Sequence, residues 1–121
     1  MSAQANRIRV SSVAAAPHPN DVDRKRIERA LEKRARYRYV SPTVRPAQDG
    51  YLITSPCCSR NVDPQGGEID IAWLEFEPRQ GNWRLQRKDH ATGAWVQFWK
   101  YPSLMALLDY LNQDPERLFW R

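Results

Sequence analysis

The stretch EIDIAWLEFEP, Glu68–Pro78, decides the fold. It is free of Gly and Pro up to its last residue and alternates with a period of two, so it is read as a strand. Ile69, Ile71 and Trp73 fall on one side of that alternation, and Ala72, Leu74 and Phe76 on the other. A strand apolar on both sides belongs in the middle of a sheet. The turn cluster RQGN follows. Then come two more alternating runs, WRLQRKD and AWVQFWKY, joined by HATG with its Gly at the end. That spacing is a hairpin.

On the N-terminal side the periodicity is weaker. YLITS, Tyr51–Ser55, is a short strand. YRYVSPTV, Tyr37–Val44, is a strand broken by Pro42, and RPAQDG is a turn cluster. Every connection is short, so the sheet is expected to be an antiparallel meander of four to five strands.

Helices flank this sheet. DVDRKRIERALEKRARYRY has no Gly or Pro and opens after Asn20 or Asp21, either of which can cap it. Ile27, Ala30, Leu31 and Ala35 make a narrow apolar stripe, and the rest of its surface is basic. Near the C-terminus, Leu104, Leu107, Leu108 and Leu111 recur at helical spacing behind Pro102, which suits a first helical position. This helix, residues 102–113, is the natural cover for one sheet face. ERLFWR then places Leu118, Phe119 and Trp120 as a lid on the core or an anchor for a partner groove. The expected fold is α+β: a basic N-terminal helix, the meander, and a C-terminal helix packed on the sheet. Residues 1–20 are expected to be a disordered tail and 21–121 a single domain.

The 121 residues carry a net charge of +5, and five Trp suffice for a compact core in a domain of this size. The charge is unevenly placed. Residues 1–38 hold ten Lys or Arg against four Asp or Glu, whereas residues 39–121 hold nine against ten. Positive charge concentrated at one end points to an electrostatic contact made by that end. No run is apolar enough to span a membrane, so a cytoplasmic location without membrane contact is expected.

Both cysteines, Cys57 and Cys58, lie in TSPCCSRNVDPQGG, Thr54–Gly67, a loop by its Pro and Gly content. Adjacent cysteines do not form a disulfide framework and are reduced by default in the cytoplasm. A metal site would need spaced ligands, and only His18 and His90 are available as histidines. A thiol or metal site using Cys57, Cys58 and His90 is therefore the weakest reading, and no cofactor is expected. Nothing in the chain has the spacing of a catalytic set or a phosphate loop, so the protein is read as no enzyme. The length of that loop still makes it a place to look for a binding surface, through Arg60 and Asn61.

Two binding readings remain. The first is a partner, expected to be a protein, held by Arg24, Lys25, Arg29, Lys33 and Arg36 of the basic helix with Arg60 and the adjoining sheet edge. The second is a single-stranded nucleic acid on a hairpin face where Arg84 and Lys88 interleave with Trp95 and Trp99, provided that the register brings them together. Against it stands the need of a small sheet for large residues, which would place Trp83, Leu85, Trp95 and Trp99 in the core.

NWRLQRKDHATGAW followed by SLMALLDYLNQDPERLFW resembles a family of small bacterial proteins classed as a domain of unknown function. The resemblance covers roughly residues 69–120 and implies a small bacterial α+β domain, with no activity attached. It picks out Trp83, Leu85, Trp95, Asp114, Pro115, Phe119 and Trp120 as fold residues. The leading expectation is thus a non-enzymatic bacterial accessory protein that binds a macromolecular partner through its basic helix and sheet edge.

Overall fold

The computed structural model describes residues 18–35, 41–56 and 67–120. Helix α1 (Asp21–Leu31) is followed by strands β1 (Thr43–Ala47), β2 (Gly50–Pro56), β3 (Glu68–Glu77), β4 (Asn82–Asp89) and β5 (Ala94–Tyr101), and by helix α2 (Leu104–Gln113). The five strands form one antiparallel sheet in the order β1-β2-β3-β4-β5. The fold is α+β, a meander with β3 at its centre.

Both helices lie on one side of the sheet, α1 against β1 and α2 against β4 and β5, and they touch each other. The core fills the space between: Ile27 and Leu31 from α1, Tyr51 and Ile53 from β2, Leu74 from β3, Trp83 and Leu85 from β4, and Leu107, Leu108 and Leu111 from α2. Phe119 and Trp120 close it from the C-terminal end and are buried, so LFW is a lid on the core.

The centre of the sheet is reached by a different route from the one the alternation implied. Ile53 pairs with Ala72 but Thr54 pairs with Asp70, so Ile71 is an extra residue in β3. Such a bulge changes the phase of the strand. Ile71 and Ala72 are consecutive and both buried, and Ile69, Ile71, Ala72, Leu74 and Phe76 all belong to the core side. Trp73 faces the other way. The two apolar sides of the sequence pattern are largely one side, interrupted once.

Other boundaries move for local reasons. Strand β1 runs through Arg45 and Pro46, inside the expected turn. Pro46 is tolerated because β1 is an edge strand. The turn is Gln48-Asp49, with Asp49 at φ 58. Gly50 opens β2 against the backbone of Leu74, where an added Cβ would sit 1.8 Å from the Leu74 carbonyl oxygen. The expected strand at residues 37–40 lies outside the described residues, as does Arg36.

Each helix has a side-chain cap. Asn20 accepts from the Asp23 N–H at 2.8 Å, and Ser103 caps α2 by accepting from the Ala106 N–H at 3.1 Å, so Pro102 lies before the cap and not at the first helical position. Helix α1 ends at Leu31, earlier than its composition suggests. The Ala35 N–H donates to the Asn112 carbonyl at 2.9 Å, and the Asn112 amide donates to the Ala30 carbonyl, also at 2.9 Å. Arg34 folds back to donate to the Leu31 carbonyl at 2.8 Å. Its guanidinium lies 4.8 Å from the centre of the Trp120 ring. These contacts with the far end of the chain replace a further helical turn.

Candidate functional site

The outer face of α1 carries a row of exposed cations, with the exposed Glu32 beside it. Ile27 and Leu31 bury one side of the helix. Lys25, Arg29 and Lys33 recur every fourth residue on the opposite side, all exposed, with Lys33 just beyond the last helical residue. None of the three makes an ion pair among the described residues. The acids of the helix are engaged elsewhere. Arg24 sits 3.5 Å from Asp21 and 3.1 Å from Glu28, and Arg26 sits 3.0 Å from Asp23. Of the cations expected to meet a partner, Lys25, Arg29 and Lys33 therefore share one stripe without ion pairs. Arg24 is neutralised within the helix, and Arg36 and Arg60 lie outside the described residues.

The hairpin face has a different character. Lys88 pairs with Trp95 and Gln86 with Gln97 across the strands, on the side of the sheet away from the helices. Trp99 does not join them: it pairs with Leu85, because the register shifts between Leu85 and Gln86 and Phe98 becomes an extra residue. Phe98 turns into the core side, packing on Tyr110 and Phe119 at ring distances of 5.3 and 5.6 Å. On the open face the Lys88 ammonium lies 4.9 Å from the centre of the Trp95 ring and 3.0 Å from the Asp70 carboxylate. Arg84 lies 3.3 Å from both Glu75 and Glu77. Trp73 meets Trp95 edge to face at 5.9 Å. Trp95 is thus half-buried under its neighbours, Trp83 and Leu85 are core, and Trp99 is exposed. Lys88 and Arg84 are matched by carboxylates, while Lys100, which pairs across from Arg84, is exposed.

A third cluster went unread in the sequence. His18, expected in a loose tail, is docked between α1 and the sheet. Its ring packs 4.7 Å from Trp83, 5.1 Å from Phe76 and 5.7 Å from Tyr51. The buried Tyr51 hydroxyl accepts the Asn20 N–H at 3.0 Å and lies 2.9 Å from His18 Nδ1. The hydroxyl also lies 3.4 Å from the Asn20 carbonyl, to which it can donate, and the imidazole tautomer sets which group donates in the His18–Tyr51 bond. Asp23 lies 3.6 Å from the same nitrogen. Burial lowers the His18 pKa, opposed in smaller part by Asp23. Burial likewise raises that of Tyr51. The groups satisfy one another and fasten the segment before α1 to β2. A lone His between two prolines carries no periodic signal, which is why only the structure reveals it.

Cys57 and Cys58 lie outside the described residues. His90 is half-buried in the β4–β5 turn. No group of three or more His, Cys, Asp or Glu that could hold a metal occurs among the described residues. An open depression of about 390 Å³ is lined by Gln80, Gly81, Asn82, Lys100, Tyr101 and Pro102. There burial pushes the Tyr101 phenol up to about 12, which keeps it a neutral donor. No described helix is long and apolar enough to cross a membrane.

The C-terminal turn accounts for the Asp-Pro-x-x-x-Phe-Trp pattern. Asp114 is fully buried at the left-handed cap of α2, φ 40. Its carboxylate accepts from the N–H groups of Leu118, Phe119 and Trp120 at 2.9, 3.1 and 2.8 Å. The Trp120 indole donates to the Leu111 carbonyl at 2.8 Å. These residues set the shape of the domain, consistent with their role as fold residues. No curated protein and no solved structure matches the chain. The family model described as a domain of unknown function, DUF3024, matches residues 15–121, and the chain belongs to that family.

Proposed function

We propose that this chain is a non-enzymatic bacterial accessory protein that binds an acidic protein surface through the outer face of α1 and the neighbouring β1 edge. The observation that carries the reading is the stripe Lys25, Arg29 and Lys33. These cations are exposed, evenly spaced and make no ion pair among the described residues, with Glu32 the one exposed acid beside Arg29 and Lys33, on a helix whose other Arg residues are paired. An unpaired row of one sign is costly in self-repulsion and gains energy when a row of opposite sign meets it. The nucleic-acid reading has one favourable observation, the Lys88–Trp95 pair on an open sheet face. The carboxylates beside Lys88 and Arg84 would repel a phosphate backbone, so the helix reading is preferred.

The test is the triple variant Lys25→Glu, Arg29→Glu, Lys33→Glu. All three side chains are exposed, so the fold should persist, whereas deleting residues 1–36 would strip Ile27 and Leu31 from the core. The wild type should retain a partner at low salt and release it as salt rises, and the variant should retain none. Undiminished capture by the folded variant would sink the proposal. Titration with single-stranded oligonucleotide at low salt, followed by tryptophan fluorescence, is the companion arm. Quenching there would favour the hairpin face instead.

A further inference from the structure

The two edges of the sheet are unlike. Strand β1 has five residues, lies beside α1, and carries Arg45 and Pro46, whose nitrogen cannot donate. Short length, charge, proline and bulges are devices by which sheet edges avoid adding strands; of these, β5 between Ala94 and Trp99 has only the bulge at Phe98. Strand β5 has eight residues, AWVQFWKY, with no proline and a single charge, Lys100, near its end. No strand covers its outer side among the described residues. Large apolar groups nevertheless sit there: Trp99 is 64% exposed and Val96 39%, and on α2, which packs against β5, Met105 is 52% exposed. A long edge, neutral from Ala94 to Trp99 and bearing exposed apolar side chains, is suited to pairing rather than to solvent.

We propose that β5 pairs antiparallel with β5 of a second copy of this chain, continuing the sheet across a two-fold axis near Gln97. The charge pattern selects this occupant. From Ala94 to Trp99 the strand is neutral, so two copies meet without like charges near the axis. Antiparallel pairing carries the two Lys100 side chains to opposite ends. An interface formed by one patch with itself requires that kind of self-complementarity. A charged partner would find no counter-charge between Ala94 and Trp99, in contrast to the face of α1.

The experiment is sedimentation velocity on the full-length chain from micromolar to submillimolar concentration, beside the double variant Val96→Lys, Trp99→Lys. The wild type should sediment increasingly as a dimer of the 14.2 kDa chain, and the variant as a monomer throughout. A wild type that stays monomeric over the whole range overturns the proposal, as does a dimer that the folded variant leaves intact. Should the variant fail to fold, amide exchange on the wild type decides. Protection along β5 should rise with concentration, and protection independent of concentration overturns the proposal.

Discussion

Asp114 shows how much structure one carboxylate can organise. Three backbone N–H groups of the last turn converge on it. Replacing it by Ala leaves those donors buried without an acceptor. The expected loss is about 3 kcal/mol or more, since hydrogen bonds to a charged group contribute about 1.5–3 kcal/mol each and overlap in effect. A lowered urea midpoint at unchanged slope would report it, and a midpoint within error of wild type would refute it. His18 gives the fold a pH dependence. Burial favours its neutral form, so the folded-state pKa lies below the ordinary 6.5. The stability that it supplies is present above that value and is lost as the pH falls below it, because the unfolded chain takes up the proton more readily. Urea midpoints at pH 7.5 and 5.5 should differ more for the wild type than for His18→Gln, and an equal difference in both would remove His18 as the cause. The motif around Asp114 could be picked out in the sequence by resemblance, but its geometry could not. The site of His18 was not visible at all, because its partners Tyr51, Phe76 and Trp83 come from three separate strands.

Among the elements, periodicity located β3, β4, β5 and α2 correctly and misjudged what interrupts them. A bulge is one extra residue without a sequence signature of its own. The one at Ile71 made a one-sided strand look two-sided, and the one at Phe98 separates Trp99 from Trp95. The second half of β1 was hidden because Pro46 reads as a breaker, although at an edge it breaks nothing. The end of α1 is set from outside: the far helix ties down Ala30 and Ala35 through Asn112. Asn112→Ala deletes the bond to the Ala30 carbonyl, at a cost of about 1 kcal/mol. Its effect should be local. Amides of α1 should exchange faster while those of β2, β3 and β4 are unchanged; uniform acceleration across the sheet would show that α1 has no separate stability.

At the scale of the whole molecule, the meander was legible because each strand finds its partner next to it in sequence. The placing of both helices on one side was legible only in part. The leucine stripe of α2 demanded a sheet to cover, whereas the narrow stripe of α1 did not say which edge it would join. The charge split between the two ends of the chain directed attention to α1, and ion pairing within the helix then narrows the expected contact set to Lys25, Arg29 and Lys33. Which cations stay unpaired depends on rotamers and spacing that a net charge cannot express.

The strand order has a last consequence. Helix α1 rides beside β1, at the edge opposite β5. If two copies join through β5 across an axis perpendicular to the sheet, both helical layers fall on the same side. Ten strands spaced at ~4.8 Å would set the two cationic stripes on the order of 40 Å apart. Three exposed charges alone make a weak and salt-sensitive contact. Two such contacts on one rigid platform would act as a bivalent clamp, with the first raising the effective concentration of the second. The platform would thereby favour partners that present acidic patches in pairs.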